Sequence, residues 1–298
     1  MGGLSRPDKG RCVLATVAVL VGLAGGAATQ ERPTRAGASG KSPTTTSVAV
    51  ATFNINFGNA NLKEVVRAIR ESKADFVFIQ ESNAESERFL RTALAKEYPN
   101  MTFRHAPAAG GLGFLAKAPI TSLRYLPPHG GYFGTWVGRT KLGGQIVTVV
   151  NVHLFPTMPL GNGAVAGPYL RAEGIRAGEI EFIAKNLPKG GPVLVAGDFN
   201  SLSGSPAPRH MLEQGFIDSG APAGGASQPS SRATWHTKWR DAEWQLCLDY
   251  IFLSEHFRTL STRAVTGEGS DHDLVVSRLA WSDLPATKRA LTLKAGQP

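Results

Sequence analysis

Val193-Leu194-Val195-Ala196-Gly197-Asp198-Phe199-Asn200-Ser201 is the stretch on which the reading of this chain turns. An apolar run of strand character meets a glycine, and an acid and an amide follow two residues apart. Strand side chains alternate, so Asp198 and Asn200 point one way while Phe199 points the other, into packing. A carboxylate and a carboxamide at the C-terminal end of a buried strand can orient a water and hold a phosphoryl oxygen. Ordinary strand-to-turn junctions use the same residue types. The rest of the chain has to separate the two.

Moving outward, Val48 to Asn56 reads as a strand that turns polar at its end, and Leu62, Val65, Val66 and Ile69 follow at helical spacing. Asp75 to Glu81 is a second buried strand ending in an acid, and Ala84 to Tyr98 a helix. Leu112–Ala116, Tyr132–Lys141 and Gln145–Val152 read as strands, the last two joined by a turn at Gly143-Gly144. After the Gly/Pro-rich loop Pro156–Pro168 comes a helix from Tyr169 to Leu187, with Leu170, Ile175, Ile180, Ile183 and Leu187 as its apolar face. Beyond the opening strand lie a short helix near Pro208–Gln214, a loop from Ala221 to Ser231, and strands at Ala233–His236, Leu246–Leu253 and Val275–Leu279. This order predicts an α/β protein built as a four-layer α/β/β/α sandwich: two packed mixed sheets flanked by helices. No break divides residues 47–282, which read as one domain.

The first residues stand apart. Arg6, Lys9 and Arg11 precede an apolar run from Val13 to Leu23, followed by the small residues Ala24 to Ala28. Residues 1–28 therefore read as a Sec-type signal peptide, which places the protein in the periplasm, the cell envelope or outside the cell. A retained membrane anchor is the alternative, although the run is short against the ~20 residues of a span. Residues 29–46 have the composition of a disordered linker, and 283–298 form a C-terminal tail. The formal net charge is +9, falling to +7 if the first 28 residues are removed. Such a balance favours polyanions, nucleic acid among them, or a peripheral contact with an anionic membrane surface. Of the two cysteines only Cys247 would then remain, which excludes an intramolecular disulfide. No protein partner is implied, and a monomer is expected.

Polar residues collect where apolar strands end: Asn54 and Asn56, Glu81, Asn151 and His153, Asp198 and Asn200, and the loop pair Asp271-His272. Asp249 sits inside Leu248-Asp249-Tyr250-Ile251-Phe252-Leu253, where an acid is costly unless it is paired, and an imidazole is a natural partner. Each alone is an ordinary turn or cap residue. Their joint occurrence at successive strand ends is not. Carboxylates and amides without a Cys/His zinc pattern suit a hard cation, Mg²⁺ or else Mn²⁺ or Ca²⁺. Such ions pair naturally with phosphate substrates.

Phe53-Asn54-Ile55, Ile79-Gln80-Glu81, Asn151-Val152-His153-Leu154, Gly197-Asp198-Phe199-Asn200, Leu248-Asp249-Tyr250-Ile251 and Ser270-Asp271-His272 resemble, in order, the motifs of the endonuclease/exonuclease/phosphatase family. That superfamily includes DNase I-like nucleases, neutral sphingomyelinases and inositol-polyphosphate phosphatases. The resemblance runs from about Val48 to Leu279. It implies Glu81 as main metal ligand, with Asn54 beside it and Asp271 completing the shell. It implies that Asp198 orients or deprotonates the attacking water and that Asn200 donates to a non-bridging oxygen. Asp249 would orient His272, which would bind the phosphate or transfer a proton, and His153 would be the general acid for the leaving oxygen. Asn56 stands where some members carry a second metal-binding Asp, Asp273-Leu274 where the family often has a proline, and Ala116 where a serine is usual. Asn56, Asn151 and the helix residues Arg171 and Arg176 are the candidate substrate contacts.

The expectation is a secreted, divalent-metal-dependent phosphodiesterase, with DNA or RNA favoured as substrate by the charge. A sphingomyelinase-like hydrolase of lipid-linked phosphoesters is the alternative, with Met158-Pro159-Leu160 as a faint membrane-contact candidate. An inactive polyanion-binding module is the reading from another class. Trp235 and Trp239, near His236 and Lys238, suit base stacking or ordinary packing equally.

Overall fold

In chain order the elements are β1 (Ser47–Asn54), α1 (Leu62–Ser72), β2 (Phe76–Gln80), α2 (Ala84–Leu94), β3 (Asn100–Arg104), β4 (Leu112–Ala116), β5 (Ile120–Leu126), β6 (Thr135–Leu142), β7 (Gln145–His153), α3 (Ala166–Asn186), β8 (Val193–Asp198), α4 (Pro206–Glu213), β9 (Ile217–Asp218), β10 (Trp235–Trp239), β11 (Ala242–Leu246), β12 (Asp249–Leu253), β13 (Phe257–Val265) and β14 (Leu274–Trp281). The structure, a computed structural model, describes residues 47–157, 166–221, 232–239, 242–266 and 269–282. The expected signal peptide, linker and C-terminal tail, and Met158-Pro159-Leu160, lie outside the described residues.

Two six-stranded sheets, ordered β13-β14-β1-β2-β4-β3 and β5-β6-β7-β8-β12-β9, lie face to face. Each has one central parallel pair, β1/β2 joined through α1 and β7/β8 joined through α3, and is otherwise antiparallel. The alternation of each strand sorts its apolar residues into three layers. Val48, Val50, Phe76, Phe78, Val149, Leu194, Ala196 and Ile251 fill the seam between the sheets. The neighbouring residues Ala51, Phe53, Val77 and Ile79 pack under α1 and α2, and Val150, Val152, Val193 and Val195 pack under α3 and α4. This is the four-layer sandwich that the sequence predicts.

The same alternation places the polar residues. Following the seam-facing rows 48-50, 76-78, 149 and 194-196 to their C-terminal ends reaches Asn54, Gln80, Asn151 and His153, and Asp198. Asp249 enters the seam from the antiparallel strand β12, directly opposite Asp198 in register. One end of the seam is therefore polar by continuation of the rows that make its middle apolar. Phe199 is fully buried in the α3/α4 layer, as the opening stretch requires.

Several expectations need correction. The strand read over Leu246–Leu253 is two, β11 and β12. β3, β5, β9 and β13 were not legible, because their burial is low or patchy and polar residues interrupt them, as in Thr121-Ser122 and Ser261-Thr262-Arg263. α3 buries only part of the face drawn for it: Ile180 and Ile183 are in the core and Leu187 packs against it. Leu170 is 70% exposed, whereas Glu173, Arg176 and Glu179 are buried beside Ile180 and Ile183.

At Gly197, β8 passes close against β7. A Cβ added there would lie 1.8 Å from the carbonyl oxygen of Val152, and its φ of 151° is one that side-chain-bearing residues rarely adopt. Val152 and Gly197 are register partners, next to the His153–Asp198 pair. Gly197→Ala is expected to cost about 2–4 kcal/mol of stability by forcing the strands apart, read as a lower urea midpoint, and to lower activity with it.

Candidate active site

Asp198 is the centre of the cluster. One carboxylate oxygen accepts the Asn200 backbone N–H at 2.7 Å, and the other accepts the Asn54 amide at 3.0 Å. Nε2 of His272 lies 3.6 Å from that second oxygen and Nε2 of His153 3.7 Å from it. The Asn54 amide also donates to Glu81 at 2.9 Å, so one carboxamide on β1 spaces two buried acids. Its own oxygen accepts the Asn56 N–H at 3.0 Å. Glu81 takes a second bond from the Phe57 N–H at 3.1 Å.

Glu81 reaches this position by breaking the strand's alternation. Residue 81 follows a seam-facing glutamine and would otherwise face the helices. Its φ of 61° is in the left-handed region, as are those of Asn56 (58°) and Asn200 (51°). A left-handed glutamate is uncommon, and three non-glycine residues of this kind around one cluster mark strain concentrated where side chains must be aimed.

The two histidines are held differently. His272 donates from Nδ1 to Asp249 at 2.8 Å, and Asp249 also accepts the Thr234 hydroxyl at 2.7 Å. Burial alone would lower the His272 pKa, but the Asp249 and Asp198 charges outweigh it and raise it well above the usual histidine range. His153 donates from Nδ1 to the Ala109 carbonyl at 3.1 Å, and its ring stacks on Phe133 at 4.4 Å. Burial lowers its pKa, against the opposing pull of Asp198. The pair is thus an imidazolium at His272 and a neutral imidazole at His153, whose Nε2 is left facing the acids. Burial also raises Glu81 and Asp198.

Asp271 lines the same recess, with one oxygen accepting the Asn56 amide at 3.1 Å and the other the Trp235 indole at 2.9 Å. Among the described residues, no lysine or arginine lines it. Glu81, Asp198 and Asp271 thus face the recess with His272 as the positive side chain beside them, an excess of negative charge that a divalent cation would relieve. The donors are oxygens of carboxylates and amides, which suits a hard cation. Glu81, with Asn54 and Asp271, fits that role. Asp198, Asp249 and His272 also present atoms within 4.8 Å of one another. There, however, the Asp249–His272 contact is closed by a proton, so the group is better read as a relay than as a ligand set.

Two of the expected substrate contacts serve the fold instead. Asn151 is fully buried below the recess, donating to the carbonyls of Ile79 and Gly113 and accepting from Gln80, which ties the two sheets. Arg176 is fully buried. It pairs with Glu173 at 2.7 Å, donates to the Phe155 carbonyl at 2.7 Å and bonds the Thr157 hydroxyl. Arg171 is exposed on α3. Asn56 braces Asp271 from the rim. Asn200 lines the recess, with its amide on the Leu154 carbonyl at 3.0 Å.

The sequence reading missed the support behind the site. Glu173 accepts from Ser201, which follows Asn200, while Arg176 and Glu179 hold Phe155, two residues beyond His153. The signal was present as charges at Glu173, Arg176 and Glu179, spaced three apart on the face of α3 that also carries Ile180 and Ile183.

The residues of this site and the sandwich that carries them are those of one family. The chain belongs to the endonuclease/exonuclease/phosphatase family, whose model matches residues 51–272. It is a metal-dependent phosphoric ester hydrolase. A search of curated proteins returned no match. Among solved structures, truncated TDP2 from Caenorhabditis elegans superposes with a TM-score of 0.61 at 16% identity, over 78% of this chain and 98% of that one. D. rerio TDP2 complexed with a single-strand DNA product gives 0.60 at 16% identity, over 78% and 99%. An endonuclease/exonuclease/phosphatase from Beutenbergia cavernae gives 0.58 at 17%, over 81% and 73%.

Glu179 gives a pH test of the scaffold. Burial pushes its pKa up to about 7, against the lowering effects of the Phe155 N–H and Arg176. The folded protein therefore holds this proton more tightly than the unfolded chain, and stability is lost as pH rises from about 4.5 toward 7. Glu179→Gln is expected to flatten that loss. Its stability relative to wild type should rise by about 3 kcal/mol between pH 4.5 and 8, measured by urea unfolding at each pH.

Proposed function

We propose that this protein is a secreted, monomeric phosphodiesterase that hydrolyses nucleic acid with Mg²⁺ as its working ion. The observation that carries the reading is the convergence on Asp198, with Asn54 bonding it at 3.0 Å and the two histidines at 3.6 and 3.7 Å. Asp198 orients the attacking water and takes its proton as the oxygen–phosphorus bond forms, and burial makes that carboxylate more basic. The His272 imidazolium, fixed by Asp249, binds a non-bridging oxygen. On the opposite face the phosphorus–oxygen bond to the leaving group breaks, and Nε2 of His153 supplies the proton for it. Because burial lowers the His153 pKa, it takes that proton from solvent as the anionic phosphate enters, and solvent receives in exchange the proton that Asp198 took from the water. A cation held by Glu81, Asn54 and Asp271 would offset charge on the phosphoryl oxygens.

Nucleic acid is favoured by the formal charge of +7 that remains after residues 1–28 are removed, and by the likeness to D. rerio TDP2 complexed with single-strand DNA product. The charge is unevenly distributed. Residues 47–282 hold 23 Lys and Arg against 20 Asp and Glu, so most of the excess lies in 1–46 and 283–298. Secretion rests on the basic, apolar and small-residue order of residues 1–28.

The test is cleavage of plasmid, single-stranded DNA and RNA with Mg²⁺, Mn²⁺ or Ca²⁺, and with chelator. The expected result is metal-dependent cleavage by wild type that chelation abolishes. Asp198→Asn should lower kcat about 10³-fold while KM moves little. Wild type that leaves all three nucleic acids intact under every metal would sink the nuclease reading.

A further inference from the structure

The loop that joins β5 to β6 lies along α3 before it reaches the active site. Three successive residues touch three positions of the helix. His129 stacks on Phe182 with ring centroids 4.4 Å apart, Gly130 faces Ile175, and Gly131 faces Glu179. The next two residues turn toward the site. Tyr132 packs on Phe155 at 4.7 Å, and Phe133 stacks on the His153 ring at 4.4 Å. The ring that seats this imidazole is therefore carried by a loop whose own seat is α3.

Glu179 is where this loop and the chain beyond His153 meet. Its Oε2 accepts the Phe155 N–H at 2.9 Å. Its Oε1 lies against Gly131, where an added Cβ would stand 2.1 Å away, so only a glycine lets the backbone close onto the carboxyl. Phe155 is gripped at both ends of its polar backbone, because Arg176 donates to its carbonyl at 2.7 Å. Burying a carboxyl beside Ile180 and Ile183 is costly, and its pKa rises to about 7 in consequence. An apolar residue of the same size would fill the space but would offer no acceptor to Phe155.

We propose that Glu179 is the positioning residue of His153: by seating the Gly131 and Phe155 segments together, it fixes the angle at which Nε2 of that imidazole meets the leaving oxygen. The proposal rests on the phosphodiesterase reading above. His272 takes its orientation from a carboxylate in direct contact, Asp249. His153 bonds a backbone carbonyl and stacks on a ring, so its carboxyl acts through the chain on either side. Proton transfer to a leaving oxygen depends steeply on alignment, which makes a small displacement of Phe133 or Phe155 costly to that step.

The experiment compares the 4-nitrophenyl and methyl esters of thymidine 5′-phosphate, with the full chain and Mg²⁺. Nitrophenolate leaves without a proton, whereas the methanol oxygen is protonated as its bond to phosphorus breaks, so the methyl ester is the one that calls on His153. Glu179→Ala and Gly131→Ala are expected to lower kcat/KM for the methyl ester about tenfold more than for the nitrophenyl ester. Glu179→Gln, whose amide oxygen can still accept the Phe155 N–H, should stay within about threefold of wild type on both. Adding Gly131→Ala to Glu179→Ala should cost little beyond Glu179→Ala alone, because the new methyl group then meets no carboxyl. Equal losses on the two esters, or a methyl-ester rate that neither single variant lowers, would overturn the role. If Glu179→Ala fails to fold, the ratio in Gly131→Ala decides. If wild type hydrolyses neither ester under any metal, the phosphodiesterase reading fails separately, and the NMR signal of the His153 ring, assigned by its loss in His153→Asn, decides the positioning. A shift of that signal in Gly131→Ala with the His272 signal unmoved supports it. An unmoved His153 signal, or both moving together, refutes it.

Discussion

Two carboxylates buried at the end of an apolar seam are the constraint around which this structure is arranged. Glu81 and Asp198 come from different sheets, and a single carboxamide, Asn54, donates one proton to each. That bridge fixes the spacing of the sheets at the one end where they cannot be held by hydrophobic contact. No lysine or arginine among the described residues joins them in the recess, so His272 is left to face their charge. The strained backbone at Glu81 follows from the same need, because a regular strand would aim that side chain at the helices.

The histidines show how environment divides one residue type into two functions. His272 faces Asp249 and is held charged. His153 faces a backbone carbonyl and an aromatic ring, and is held neutral. Neither state is encoded in the motif letters; both come from what stands behind the ring. The family assignment gives the reaction class, and the surroundings of each imidazole set its pKa in opposite directions.

Much of the fold was legible because strand alternation and amphipathic spacing report burial directly, as in Val193 to Asp198 and Leu62 to Ile69. The central strands that carry Asn54, Gln80, His153 and Asp198 are apolar on both faces and stand out. Outer strands such as β5 and β13 carry solvent-facing polar residues, and their pairing depends on partners distant in sequence. In the site, the acids and histidines at strand ends were legible. The fates of Asn151 and Arg176 were not, because a buried polar side chain and a substrate contact have the same sequence signature. Only the partners tell them apart. Asn151 meets two backbone carbonyls and a glutamine, while Arg176 meets a glutamate and a loop carbonyl.

Helix α3 touches both halves of the reaction. Through Glu173 it holds Ser201, next to Asn200, and through Arg176 and Glu179 it holds Phe155, just beyond His153. The loop after β8 and the loop after β7 are thus referenced to one helix. A shift of that helix would carry both loops with it, so their separation is expected to change less than the position of either. The enzyme's alignment is protected as a difference between two coordinates that share their largest error.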